Sequence, residues 1–456
     1  MKIKRSISLV LALVMALGVF TGCGKKTSNV EELPEGTVTL TVGIPQNSNV
    51  SDYEENAFTK YLEETANVEI KFSFFSSAAA EYKQQLALMC SANEVLPDVF
   101  LGFEFDHYTV NQYGEDGYFI DLMLFVDNNS AYTDYRIPAM VIAENGAIYV
   151  AYECREDKSD WAQIDIRIMK SSDSGDSFQE IKKIYGNGET LNNPVLIAKE
   201  GAVHFLYCVN YYHVFHIKSE DGGENWSKPN EITEIFNDLT HTVVATGPGH
   251  GVVTPAGTMV SPVWLAYNPE DELAHKPSFL TTIYSEDDGK TWKRGEVIEH
   301  ENLYDANETA IALTKDGSVM MSVRNRHPEY RLRYWVISPN GYSDWEHLQF
   351  DKRFPDPHCM GSLCNGDEKI FFSNCESEDK RENLTVKVSE DDFKSFDKFL
   401  IRSENTAYSE VAYWNHCLYV VYETFEDCDG DRINHRLHLK KISIKKETEY
   451  EIEYTR

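Results

Sequence analysis

The sequence predicts an all-β protein built as a six-bladed β-propeller, with a small α/β module ahead of it. Three observations predict this. From about Asp127 onward, helical periodicity gives way to short runs of alternating apolar and polar residues. Turn signals follow one another there at about 8–12 residues, among them Asn145-Gly146, Asn187-Gly188, Asp316-Gly317 and Asp429-Gly430. A pattern S-x-D-x-G-x-x-[W/F] recurs along the same stretch, the sign of an architecture that repeats radially.

Taken in order, the chain opens with Lys2, Lys4 and Arg5 ahead of an apolar run from Ile7 to Phe20, which reads as an export signal over residues 1–22. That run is shorter than the roughly 20 residues a membrane span needs. Phe20-Thr21-Gly22-Cys23 resembles a bacterial lipobox, which implies cleavage before Cys23 and diacylation of its thiol. Residues 23–36, polar and carrying Lys25 and Lys26, read as a tether. The expected location is therefore extracellular, as a lipoprotein anchored at the cell surface.

Residues 37–128 read as a β-α-β-α-β module. Strands are expected at Thr37 to Ile44, Val68 to Phe75 and Asp98 to Leu101. Helices are expected at Tyr53 to Ala66, with Phe58 and Leu62 on the apolar face, and at Ala78 to Met89. The segments T-V-T-L-T-V-G-I and L-A-L-M-C-S-A-N-E-V-L-P-D-V-F resemble the start of a lipoprotein solute-binding protein. The resemblance stops near Phe125, so only part of one lobe is present and ligand capture by it is not expected.

Composition narrows the function. The formal net charge is −31, which argues against nucleic acid or an anionic membrane face as partner. Any anionic ligand then needs a local cluster of arginines. None of the nine cysteines forms a C-x-x-C pair, so no zinc site is expected; Cys359 and Cys364 are left as either a disulfide or two buried thiols.

Residues 129–456 make up the propeller. The repeated pattern begins at Ser171, Ser219 and Ser285, and a degenerate copy at Ser389 has Phe393 where the glycine belongs. In each turn the aspartate accepts backbone N–H bonds, the glycine takes positive φ and the aromatic packs back on its blade. The pattern resembles the Asp-box repeat, which is structural. The copy ending in Phe178 and the copy lacking glycine are expected to be less regular.

From Tyr135 to Glu423 the chain resembles the bacterial exo-sialidases (neuraminidases). The matching segments are Arg136-Ile137-Pro138; Arg155 leading to Asp160-Trp161 and Ile164-Asp165; Gly247-Pro248-Gly249; Glu308 followed by Arg324; Arg381 in R-E-N-L-T-V; Tyr408 in A-Y-S; and Glu423. The resemblance implies that Arg136, Arg324 and Arg381 clamp a sugar carboxylate, a task that suits guanidinium better than ammonium. Tyr408 would be the nucleophile, Glu308 its base and Asp160 the acid/base of a retaining glycosidase. Arg155 would contact ligand or pair with Asp157. Trp161 would raise the Asp160 pKa by lowering local polarity. Glu423 would orient Arg136, and Asp165 would be structural. The implied partners are sialylated glycans of glycoproteins, glycolipids and oligosaccharides, met by a monomer without metal or cofactor, and with the membrane reached only through the lipid anchor. A non-catalytic glycan-binding propeller, a solute-capture lipoprotein and a hydrolase of another nonulosonic acid are the competing readings.

Overall fold

The computed structural model describes residues 38–47, 50, 52–66, 68–92, 94–103, 105, 113, 132–348, 350–428 and 431–444. The export signal, Cys23, the tether, Phe125 and the Asp429-Gly430 turn lie outside them. The chain parts into two compact units near residues 122–130. Among the described residues no helix is long and apolar enough to cross a membrane.

The first unit contains a three-stranded parallel sheet. Val38–Pro45 lies in the middle, with Val68–Phe75 on one side and Val99–Phe100 on the other. Helices Ala57–Ala66 and Ala79–Ser91 form the crossovers, giving the expected β-α-β-α-β order. The first helix starts four residues later than its pattern suggested. The reason is Asn56, whose side-chain oxygen accepts from the N–H groups of Phe58 and Thr59 and so caps the helix. Phe58 does not face the core: it is 45% exposed, while Leu62 and Thr59 are buried.

The second unit is the six-bladed propeller. Among the described residues the first, fourth and fifth blades each have four consecutive antiparallel strands, the second adds a short parallel strand to its four, the third has five strands, and the sixth has three. The first blade runs Asp134–Ile142, Ile148–Arg155, Ile164–Ser171, Gln179–Ile184; the sixth runs Thr406–Trp414, Cys417–Cys428, Asp431–Ser443. The Gly247-Pro248-Gly249 turn brings Gly249–His250 alongside the inner strand of the second blade, Leu191–Lys199. Gly249 is required there: at φ +111, a Cβ would stand 2.6 Å from Glu410 Oε2.

The repeated turns share one hydrogen-bond scheme. In the first, Gly175 N–H donates to Ser171 Oγ (2.9 Å) and Ser177 N–H to Asp173 Oδ1 (2.9 Å). The copy at Ser389 keeps the scheme intact, with Phe393 N–H on Ser389 Oγ (2.8 Å) and Ser395 N–H on Asp391 Oδ1 (2.8 Å). Phe393 adopts φ 62 in the glycine's place, so this turn is not less regular. Its ring is anchored among Trp335, Phe354 and Phe372, and that packing offsets the backbone strain. A further variant went unread in the sequence. Ser338-Pro-Asn340-Gly341-Tyr-Ser343 makes the same bonds one residue shorter, Gly341 N–H to Ser338 Oγ (2.9 Å) and Ser343 N–H to Asn340 Oδ1 (2.9 Å).

The ring closes where the sixth blade packs on the first. Val421, Tyr419 and Leu437 meet Met140, Val150 and Tyr152 in one buried cluster. A buried polar contact crosses the same seam: Asp134 Oδ1 accepts from His435 N–H (2.9 Å) and bonds His435 Nδ1 (2.7 Å). Burial would raise the Asp134 pKa, but the His435 bonds outweigh it and hold the carboxyl well below its ordinary range. Burial also pushes His435 down, so the pair is best described as carboxylate and neutral imidazole, with Nδ1–H donating. All eight cysteines of the described residues are free thiols. Cys359 packs with Cys375, and Cys364 lies in another cluster.

Asp134→Ala is expected to destabilise the second unit by about 2–3 kcal/mol, because it orphans two buried donors. Asp134 is depressed in the folded state, so its contribution is present above the unfolded pKa near 4 and fades as pH falls below that. Urea melts at pH 7 and pH 3 check this: the gap between wild type and variant narrows at pH 3.

Candidate active site

Irregularities in the inner strands aim the key side chains. The first strand of the first blade slips register between Arg136 and Ala139, with Ile137 at φ 53 and Pro138 inside the bulge. The first strand of the sixth blade slips between Thr406 and Ser409, which straddles Tyr408. Glu308 precedes the strand Thr309–Leu313, and Arg324 follows its partner Val319–Val323. Arg381 precedes the strand Leu384–Ser389 of the fifth blade.

Six of the expected residues converge. Arg136, Asp160, Glu308, Arg324, Arg381 and Tyr408 line one cavity of about 510 Å³. That is room for a small-molecule ligand. The carbons of the three guanidinium groups stand 5.1, 6.0 and 5.2 Å from the Tyr408 ring centroid, for Arg136, Arg324 and Arg381 in turn. Tyr408 Oη donates to Glu308 Oε1 at 2.5 Å and accepts from Arg324 Nη1 at 2.9 Å. Arg324 is also ion-paired with the other oxygen of Glu308. Burial lowers the Arg324 pKa to about 10, so it remains a cation at neutral pH. For Arg381, burial acts the same way but is outweighed by Cys359, Tyr408 and Glu423, so its charge is held more firmly.

Glu423 stands behind the cavity, fully buried. It bonds Arg136 Nη2 (3.3 Å) and accepts from the backbone N–H of Ile137 (2.8 Å) and of Tyr408 (3.3 Å). Burial alone would raise its pKa, but Arg136 and these donors bring it below the ordinary value. Arg136 Nε, Arg324 Nε and Asn307 Oδ1 are buried without a protein partner, so polar capacity at the cavity wall is left for a ligand.

Two expectations change. Arg155 lies behind the cavity and does not pair with Asp157. It bonds Asp160 Oδ1 through Nη1 (2.7 Å) and Glu153 Oε2 through Nε (2.8 Å) and Nη2 (2.5 Å). Trp161 does not raise the Asp160 pKa: its ring packs on Tyr211 and His275. Burial does push Asp160 up, but Arg155 and Arg136 outweigh it, and the carboxyl is held well below its ordinary range. Its side chain remains 45% exposed. Asp165 is buried in the sheet, accepting from Tyr132 and Gly186.

Sequence reading missed Glu153, Tyr211, His275 and Arg326. Glu153 had a signal. It is an acid in a strand that is otherwise buried along its whole length, opposite Arg136 in register and two residues from Arg155. A charge in such a strand needs a partner.

A family model described as "BNR repeat-like domain" matches residues 183–421. The chain is 24% identical over 306 residues to a sialidase of Bacteroides fragilis, an alignment covering 58% of this chain and 54% of that one. It thus spans about half of that relative's length. Among solved structures it resembles the Hadza microbial sialidase Hz136, with TM-score 0.59, 20% identity and 66% of each chain covered. It also resembles the intramolecular trans-sialidase of Ruminococcus gnavus, with TM-score 0.58, 14% identity, and 70% of this chain and 97% of that one covered. At such identities the structures show the propeller fold.

Replacing Glu153 and Arg155 together by Gln removes one buried charge of each sign and leaves Asp160 facing Arg136. The Asp160 carboxyl is expected to rise toward the ordinary range near 4. Carboxyl-carbon NMR titration measures it, and an unmoved Asp160 would contradict the assignment of Arg155 as its chief counter-charge.

Proposed function

We propose that this chain, which belongs to the BNR repeat-like domain family, is an exo-α-sialidase that releases terminal sialic acids from glycoconjugates with retention of configuration. The observation that supports it most is the grouping of three guanidiniums around the ring of Tyr408, whose hydroxyl is bonded to Glu308.

In this reading the sugar carboxylate sits on Arg136, Arg324 and Arg381. It supplies the negative charge that three close cations need. A carboxylate nucleophile would approach that anionic centre against like charge; a phenol approaches neutral. Tyr408 Oη attacks the anomeric carbon as Glu308 Oε1 takes its proton, and Arg324 Nη1 stabilises the phenolate as it forms. Asp160 protonates the departing glycosidic oxygen and then deprotonates the water that opens the tyrosyl intermediate. Its low pKa in the free protein means that substrate must help it hold a proton. Occupation of Arg136 by the sugar carboxylate and cover from the aglycone both act in that direction.

The lettering around Cys23 supports deployment at the bacterial cell surface through a lipid anchor. Cys23→Ala is then expected to abolish incorporation of a labelled fatty acid by the producing cell and to shift the protein to the medium.

A fluorogenic sialoside tests the catalytic reading. Wild type is expected to release the fluorophore and Tyr408→Phe to lose at least about a thousandfold in kcat. Asp160→Asn is expected to suffer far more on a sialyl-oligosaccharide than on the fluorogenic substrate, whose leaving group needs little protonation. A folded wild type that binds sialosides and releases nothing would make the protein a glycan-binding propeller.

A further inference from the structure

The fourth blade carries a strip of cations and aromatic rings beside the cavity that the reaction above does not use. Arg326 lines the cavity two residues beyond Arg324, and among the described residues no carboxylate pairs with it. Its main chain is fixed. Arg326 N–H donates to the Tyr304 carbonyl (2.8 Å), and Asn325 clamps the same loop by accepting from Tyr304 N–H (2.7 Å) and donating to the Asn302 carbonyl (2.8 Å). Outward from Arg326 the rings continue. Tyr304 is 52% and Tyr330 41% exposed. His327 lies 4.8 Å from Tyr330 and 6.5 Å from Tyr304, and Phe350 lies 4.8 Å from Tyr330.

The strip carries two guanidiniums, Arg326 and Arg331, with Glu329 between them in sequence and Asp305 beside Tyr304. Arg331 Nη1 bonds His358 Nδ1 at 2.7 Å. Burial first, then Arg331, Arg324 and Arg326, push His358 down to about 4, so it accepts this bond as a neutral imidazole. Of the two guanidiniums, Arg326 is the one that lines the cavity, in a chain whose net charge is −31. The carboxylates at the cavity mouth, Asp157 and Asp431, belong to other segments, and Asp431 is paired with Lys158. Exposed rings beside a guanidinium with no carboxylate partner suit an anionic saccharide: rings stack on sugar faces, and guanidinium takes a carboxylate.

We propose that this strip is a docking subsite for the reducing-end part of an oligosialic glycan, in which the second sialic acid sets its carboxylate on Arg326, with Arg331 beyond it and Tyr304 and Tyr330 beneath the sugar rings. The inference rests on the sialidase reading and deepens it, by making disialyl units better substrates than the terminal sugar alone would make them.

The readout is the ratio of kcat/KM on an α2,8-linked disialyl oligosaccharide to kcat/KM on a fluorogenic sialoside with a neutral aglycone. Loss of one charge-assisted contact predicts a fall in this ratio of about tenfold in Arg326→Gln, with a smaller fall in Tyr330→Ala. The wild-type ratio should also drop as salt is raised. A merely structural role would lower both rates and leave the ratio unchanged. An unchanged ratio in Arg326→Gln, with the fluorogenic sialoside still cleaved, overturns the subsite and leaves the proposed function standing. If wild type cleaves neither substrate, the proposed function fails, and calorimetry on the Tyr408→Phe chain reads the subsite separately. Disialyl binding tighter than monosialyl binding, and weakened in Tyr408→Phe/Arg326→Gln, keeps it; equal affinities remove it.

Discussion

One buried carboxylate joins the closure of the ring to the alignment of the site. Glu423 belongs to the last blade, yet it holds the guanidinium of Arg136 and the backbone of Ile137 in the first. It also accepts from the backbone of Tyr408, on the neighbouring strand. A charge without solvent is costly unless it is paired and hydrogen-bonded, and Glu423 meets that condition only when these three groups are in place. Ile137 shows the tension: a β-branched residue at φ 53 is strained, and its N–H bond to Glu423 helps hold it there. Correct seating of the last blade on the first therefore sets the positions of Arg136 and Tyr408 together.

The bulges extend this logic. The inner strands of the first, second and sixth blades slip register at Arg136, Asn193 and Tyr408. A regular strand would alternate its side chains between the two faces of a blade; a slipped one can turn a side chain toward the axis. Asn193, at φ 55, donates its N–H to Glu153, which in turn grips Arg155 and through it Asp160. A chain of buried polar bonds thus links the second blade to the acid/base candidate on the first.

Much of this was legible in the sequence, for definable reasons. Short alternation with regular turns gave the strands, and the repeat gave the propeller, because both depend on local chemistry. Arg136, Asp160, Glu308, Arg324, Arg381 and Tyr408 could be singled out because their segments, in that order, resemble those of the exo-sialidases; each alone is an ordinary residue. What failed was non-local. That Phe393 could fill a glycine's place depends on rings from the fourth and fifth blades. The shift on Asp160 was assigned to its sequence neighbour Trp161, but charges facing it across the fold decide it. Phe58 satisfied a helical stripe and still faces outward, because a pattern fixes an element's face more securely than it fixes each residue on that face.

Among the described residues no blade borrows a strand from the opposite end of the chain: the fourth strand of the first ends at Ile184 and the sixth begins at Thr406. Every other neighbouring pair of blades is also joined by continuous polypeptide. The seam between first and last is held by non-covalent contacts, and half of the site is mounted across it. Gentle heating or dilute denaturant should part this seam first, so the cavity would come apart while most of the blades still stand.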